Sequence, residues 1–74
     1  MVKKNGLWVK EYAKTFRIEE LYKNDIIQNL KGYKGNKLIQ ENNFINGKDY
    51  RFTRYKNNKI IEQGIYINEI KYLY

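Results

Sequence analysis

A chain of 74 residues with no cysteine and no histidine has to hold itself together by packing alone. Disulfide staples are excluded, and the usual thiolate and imidazole ligands of a structural zinc are missing. A chain this short buries only about 60% of the surface its unfolded form exposes, so its core is thin. Its twelve aromatic residues therefore carry much of the burial. Each can hide roughly 150–250 Å². The length predicts one domain spanning residues 1–74, and assembly with a partner or with further copies is a second route to stability.

Nothing in Met1-Val2-Lys3-Lys4-Asn5-Gly6 resembles a secretory leader. No apolar run approaches the roughly 18 residues of a membrane span. With no cysteine in use, the expectation is a cytoplasmic protein that does not enter a membrane. The chain is rich in Lys, Asn, Ile and Tyr and has no Pro, the mark of an A/T-rich genome. Such codon bias inflates Lys, so the clustering of charge carries more weight than its total.

The pattern reads as mainly β. Residues 7–12 and 15–22 are the first two candidate strands. Phe16 and Ile18 alternate with Arg17 and Glu19, and the composition favours strands. A helical reading competes over residues 8–30, because Val9, Tyr12, Ala13 and Phe16 fall at helical spacing. With a hairpin at 50–68 as the wing, that reading predicts a winged-helix-like fold. Residues 30–48, with Gly32, Gly35 and Gly47, read as loops around a short element at 38–44. The chain reads as free of internal repeats.

The C-terminal third is clearer. Residues 50–55 alternate, Asn57-Asn58 sits at a tip where positive φ is needed, and residues 59–68 return as a β-branched run. A last strand is expected at 70–74. A symmetric hairpin puts Tyr50, Phe52 and Arg54 opposite Ile65, Gln63 and Ile61 on the core side. Arg51, Thr53 and Tyr55 then share the solvent side, with Tyr66 just beyond. Trp8 reads as core.

Catalysis has little to build on. The chain lacks Ser as well as His and Cys, and Thr15 and Thr53 have no recognisable activating base. Glu19-Glu20 are adjacent and point to opposite faces of a strand, whereas an acid/base dyad must converge. Gly32-Tyr33-Lys34-Gly35-Asn36-Lys37 is Gly-rich and basic but lacks P-loop spacing and the Ser/Thr that follows its Lys. The expectation is a non-enzyme with no catalytic residues, no cofactor and no metal site.

Charge and aromatics instead suggest a partner. Residues 31–59 hold eight Lys/Arg against Glu41 and Asp49, with Tyr33, Phe44, Tyr50, Phe52 and Tyr55 threaded among them. Cationic side chains neutralise phosphates and aromatic faces stack on bases, so this mixture suits RNA or single-stranded DNA. The candidate contacts are Lys31, Lys34 and Lys37 on a glycine-flanked loop, with Arg51, Arg54, Lys56, Tyr55 and Tyr66 on the hairpin. Lys59 adds to the same basic hairpin. The bland alternative for the loop is three solvated lysines, and for the tyrosines the rim of a thin core.

The order of features resembles the small five-stranded OB barrel of bacterial translation initiation factor one and related S1-type domains. Gly6-Leu7-Trp8-Val9-Lys10-Glu11 and Phe16-Arg17-Ile18-Glu19 are similar to that family's opening strands. Residues 32–37 sit where it has a basic Gly-Lys turn. Gly47-Lys48-Asp49-Tyr50 resembles its Gly-Asp, and Gly64-Ile65 falls near its Gly-Arg-Ile. Its Arg-rich turn is replaced here by Lys and Asn, and its Pro-Tyr-Asp loop is absent. The closing strands, Ile65 to Ile70, are also similar to those of an Sm-like barrel. The resemblance implies RNA binding on a barrel face.

The fold expected from these features is mainly β (α+β). It is a small twisted sheet or a partly closed five-stranded OB/SH3-like barrel with at most one or two short helices. The function expected is sequence-tolerant nucleic-acid binding. The alternative is a small phage-type inhibitor or adaptor, anti-CRISPR-like in size, that binds an acidic protein surface or a nucleoprotein complex.

Overall fold

The computed structural model describes residues 3–74, and all of their regular structure is β-strand. The strands are β1 (Gly6–Ala13), β2 (Phe16–Lys23), β3 (Ile26–Lys34), β4 (Lys37–Phe44), β5 (Tyr50–Lys56), β6 (Lys59–Ile67) and β7 (Ile70–Leu73). They form one antiparallel sheet in the order of the sequence, β1 to β7. Its extents of 40 × 32 × 15 Å are those of a single layer.

The tips explain the topology. Asn24-Asp25, Asn57-Asn58 and Asn68-Glu69 all have φ between 50 and 67°. Positive φ at both central positions is the backbone of a type I′ turn, whose twist matches that of the strands it joins. Such turns return the chain to the neighbouring position and nowhere else. A meander results.

This corrects the fold expected from sequence. The sheet has seven strands rather than five, contains no helix among the described residues, and stays open. β1 and β7 lie at opposite edges and do not pair, so no barrel closes. The winged-helix reading falls with the helices it needed. Residues 30–48 are expected as loops around a short element at 38–44; that element is β4, but β3 runs through residues 30–34, where loop is expected. Glycine is the reason: Gly35 and Gly47 are turn glycines with φ of 63 and 79°, but Gly32 lies within β3 beneath Ile39.

One row of directly paired residues crosses the sheet: Trp8, Glu20, Leu30, Asn42, Phe52, Gly64 and Leu73. The core follows this row. Among the described residues Phe52 is the one fully buried large side chain, at 2% exposure, and Glu20 and Asn42 are buried along the same row. Glu20 is held by Lys10 at 3.0 Å and the Tyr22 hydroxyl at 3.2 Å, and Gln40 donates to Asn42 at 3.0 Å. Phe44, Tyr50, Tyr66 and Phe52 continue the apolar face as a chain of tilted rings, with centroids 4.9–5.2 Å apart. Trp8, expected in the core, stands on the edge strand at 44% exposure, edge-on to Tyr22. No second strand flanks β1 to cover it.

The row also exposes a period that the sequence reading missed. Trp8, Leu30 and Phe52 are 22 residues apart, as are Glu20, Asn42 and Gly64, and the tip residues Asn24, Asn46 and Asn68. Each unit is one hairpin. A single hairpin cannot bury its own face, so the units stack side by side.

The β5–β6 register departs from the symmetric hairpin. Tyr55 pairs with Ile60 as expected near the tip, but a bulge between Arg54 and Tyr55 shifts the rest by one. Tyr50, Phe52 and Arg54 therefore face Tyr66, Gly64 and Glu62. Tyr66 moves onto the face of Phe52, away from the solvent side on which it was expected.

Candidate nucleic-acid interface

A meander sends its tips alternately to the two ends of the sheet, so charge at every second tip gathers at one end. The tips 14–15, 35–36 and 57–58 share one end, and Lys14, Lys34, Lys37, Lys56 and Lys59 lie on or beside them. No carboxylate occupies these positions, and among the described residues none of the five lysines makes an ion pair. Lys34 pairs directly with Lys37, and Lys56 with Lys59. Like charges set opposite one another disfavour the hairpin. Packing gives no reason for the arrangement.

The opposite end is built differently. Its tips carry Asp25, Asp49 and Glu69, and Asn and Asp side chains tie neighbouring segments together. The Asn24 amide donates to Asn5 Oδ1 at 2.8 Å, and the Asn68 amide donates to Asp49 Oδ1 at 3.0 Å. The Asn68 hydrogen bond, with another from the Asn46 side chain, holds the Asp49 carboxyl below its ordinary range.

Two basic tips repeat a motif: Tyr33-Lys34-Gly35-Asn36-Lys37 and, 22 residues on, Tyr55-Lys56-Asn57-Asn58-Lys59. The tips of adjacent hairpins stand two strand spacings apart, about 9–10 Å. Between them the β4–β5 ladder stops at Gln40 and Arg54, and the remaining residues diverge. The result is a groove of about 410 Å³ lined by Lys34, Lys37, Leu38, Ile39, Tyr55, Lys56 and Asn57. Three ammonium groups, a phenol ring and an apolar floor meet there. The combination can accept an anionic backbone and lay an aromatic ring beside what the backbone carries.

Four of the eight sequence-derived contacts converge on this groove: Lys34, Lys37, Tyr55 and Lys56. The other four are elsewhere. Lys31 is half-buried on β3, paired across to Glu19 on β2 and Glu41 on β4. Arg51 is exposed between Asn43 and Ile65. Arg54 lies on the aromatic face, its guanidinium 3.8 Å from Glu62. That carboxyl is held below its ordinary range mainly by a hydrogen bond from Lys71 at 2.7 Å, with Arg54 a lesser cause. Tyr66 belongs to the ring chain between Tyr50 and Phe52.

Sequence reasoning missed Lys14. The signal that finds it is the alternation of tips, which needs the strand count. Among the described residues no cluster of His, Cys, Asp and Glu could hold a metal ion, and no helix is long and apolar enough to cross a membrane. No family model, no curated protein and no solved structure matches this chain.

Proposed function

We propose that the chain binds RNA or single-stranded DNA without strong sequence preference, through the basic end of the sheet. The observation that carries the reading is the groove between the two repeated tips, where Lys34, Lys37 and Lys56 surround Tyr55. Lysines are point charges that neutralise phosphates whatever the base, and one ring offers a stacking platform to any base. Lys14 and Lys59 extend the positive field along the same end. The unpartnered state of all five lysines supports this, because no internal carboxylate competes with a phosphate.

Fluorescence anisotropy with a labelled oligonucleotide tests it across a salt series. For single strands the logarithm of affinity falls with the logarithm of salt at about −0.7 per phosphate neutralised. Three groove lysines give a slope near −2, and all five near −3.5. Lys34→Ala should weaken binding alike for every sequence and make the slope shallower by about 0.7. An affinity flat in salt, or unchanged by Lys34→Ala together with Lys56→Ala, refutes the reading.

The second reading, a small inhibitor or adaptor, is favoured by a separate observation. Among the described residues the single-layer sheet leaves fourteen large hydrophobic side chains exposed, far from the basic groove in several cases. A pull-down from host lysate with and without nuclease separates the two. Partners lost to nuclease support nucleic-acid binding, and a stoichiometric nuclease-resistant protein supports the adaptor.

A further inference from the structure

The 22-residue period gives the groove at Tyr55 a counterpart one repeat earlier, between the tips 14–15 and 35–36. Leu38, Ile39 and Tyr55 of the groove correspond there to Phe16, Arg17 and Tyr33. The counterpart is shut. Arg17 pairs directly with Tyr33, and its guanidinium carbon lies 4.5 Å from the centre of the ring. Glu19, two residues along, holds the guanidinium at 3.1 Å. Beside Thr15, Phe16, Arg17 and Gly35 a cleft of only about 70 Å³ stays open, against about 410 Å³ around Tyr55.

The register shows where the two repeats part. β2 and β3 stay paired through Ile18–Gly32, Arg17–Tyr33 and Phe16–Lys34. The β4–β5 ladder stops at Gln40–Arg54, the equivalent of the first of those pairs. Ile39 is the extra residue of a bulge, since Gly32 faces Gln40 while Tyr33 faces Leu38. A bulge bends its strand, and β4 leaves β5 at this residue. Among the described residues no ring or cation is stacked on Tyr55.

We propose that the Tyr55 groove is a seat for one unpaired base of a single strand, stacked on Tyr55 as the Arg17 guanidinium is stacked on Tyr33. Both are flat, delocalised groups that rest on a ring face. Charge decides between them. Lys34, Lys37 and Lys56 line the groove and repel a second guanidinium, but they attract the phosphates on either side of a base. Leu38 and Ile39 give the base an apolar wall. A duplex keeps its bases stacked within itself, so the seat selects single strands. Arg17 occupies the equivalent place in the preceding repeat, which leaves one seat across the three basic tips. This seat rests on the nucleic-acid reading and names where the base lies.

Two variants that add the same charge should act in opposite directions on a fluorescein-labelled oligothymidylate. Asn36→Arg adds it at an exposed tip position outside the groove and should tighten binding. Ile39→Arg sets a guanidinium where the preceding repeat has one, with Glu41 two residues along as Glu19 is from Arg17. It should weaken binding by about tenfold, the worth of one stacked base. Arg17→Ala removes a charge but uncovers Tyr33, and should tighten binding; it carries the test if Ile39→Arg melts early. A single 2-aminopurine in the strand should lose emission on binding the parent and keep it with Ile39→Arg. A duplex of equal length should bind more weakly than the single strand, despite its higher charge density. Undiminished binding by Ile39→Arg, weaker binding by Arg17→Ala, or a preference for duplex overturns the seat while leaving salt-dependent binding in place. A parent chain that binds no oligonucleotide overturns both.

Discussion

Gly64→Ala changes the protein by one methyl group at a place with no room for it. A Cβ at residue 64 would lie 2.2 Å from the Tyr72 carbonyl oxygen and 2.8 and 2.9 Å from the Phe52 ring. The carbonyl is backbone and cannot rotate away, so β7 must move until 2.2 Å becomes at least 3.0 Å. Phe52 cannot give much either, being fully buried. Forcing a methyl into a packed site costs about 1–3 kcal/mol. For a domain this size each kcal/mol lowers Tm by roughly 4–8 °C, so about 2 kcal/mol gives a fall near 8–16 °C. Gly32→Ala is the control. Its Cβ would meet only the Ile39 side chain at 3.8 Å, an ordinary contact, and its φ is not in the left-handed region. Alanine there loses less chain entropy on folding, so stability should hold or rise by about 0.4–1 kcal/mol. Thermal and urea melts of both variants decide the matter, with hydrogen exchange on β7 amides showing whether that strand detaches. A Gly64→Ala protein that melts like the parent, or a Gly32→Ala protein that falls as far, refutes the packing described.

Phe52→Ala should cost about 3–5 kcal/mol and come close to unfolding so small a domain, while Tyr55→Ala should leave the melt nearly unchanged and lose about 1–3 kcal/mol of nucleic-acid affinity. The reverse pattern in melts of the two variants would exchange their roles. Glu69 holds φ of 67° in the β6–β7 turn, a conformation that costs a side-chain-bearing residue about 1–2 kcal/mol. Glu69→Gly should therefore stabilise the protein by about 1 kcal/mol in a urea melt, and a loss of stability would show that Glu69 does more than occupy the turn. Asp49 has a depressed folded pKa, so its contribution is complete above its unfolded value of about 3.9 and is lost as pH falls through the folded one. The Asn68 amide resonance should shift in that acid range, and Asp49→Asn should remove the titration; a parent Asn68 amide that never moves would contradict the contact.

How much was legible beforehand differs along the chain. Alternation in residues 50–55, the Asn57-Asn58 tip and the returning run of 59–68 identify β5 and β6 closely, because period and turn chemistry agree there. The expected strands at 7–12 and 15–22 became β1 and β2. β3 was not legible, since its glycine and its polar Asn29 and Lys31 imitate loop composition. Asn29 is used there as a cross-strand donor to Glu41 and Asn43 at 3.0 and 2.8 Å, a role that exists only once β4 is alongside. At the candidate site, Lys34, Lys37, Tyr55 and Lys56 were named from charge and aromatic content alone. Their convergence, and the separation of Lys31, Arg51, Arg54 and Tyr66 from them, required the register.

Local choices are written residue by residue: strands by alternation, reversals by Asn and Gly at positions needing positive φ, and an excess of lysine beside those reversals. These depend on each residue and its near neighbours. Tertiary structure alone decided that the sheet stays open, that Tyr66 joins the ring chain of Phe52, and that five lysines share one end. Each of those outcomes turns on a parity: the number of strands, or a single bulge residue between Arg54 and Tyr55. A side-chain period of two means that one inserted residue exchanges faces, and one added strand exchanges ends. Parity accumulates along the whole chain, so no local window contains it.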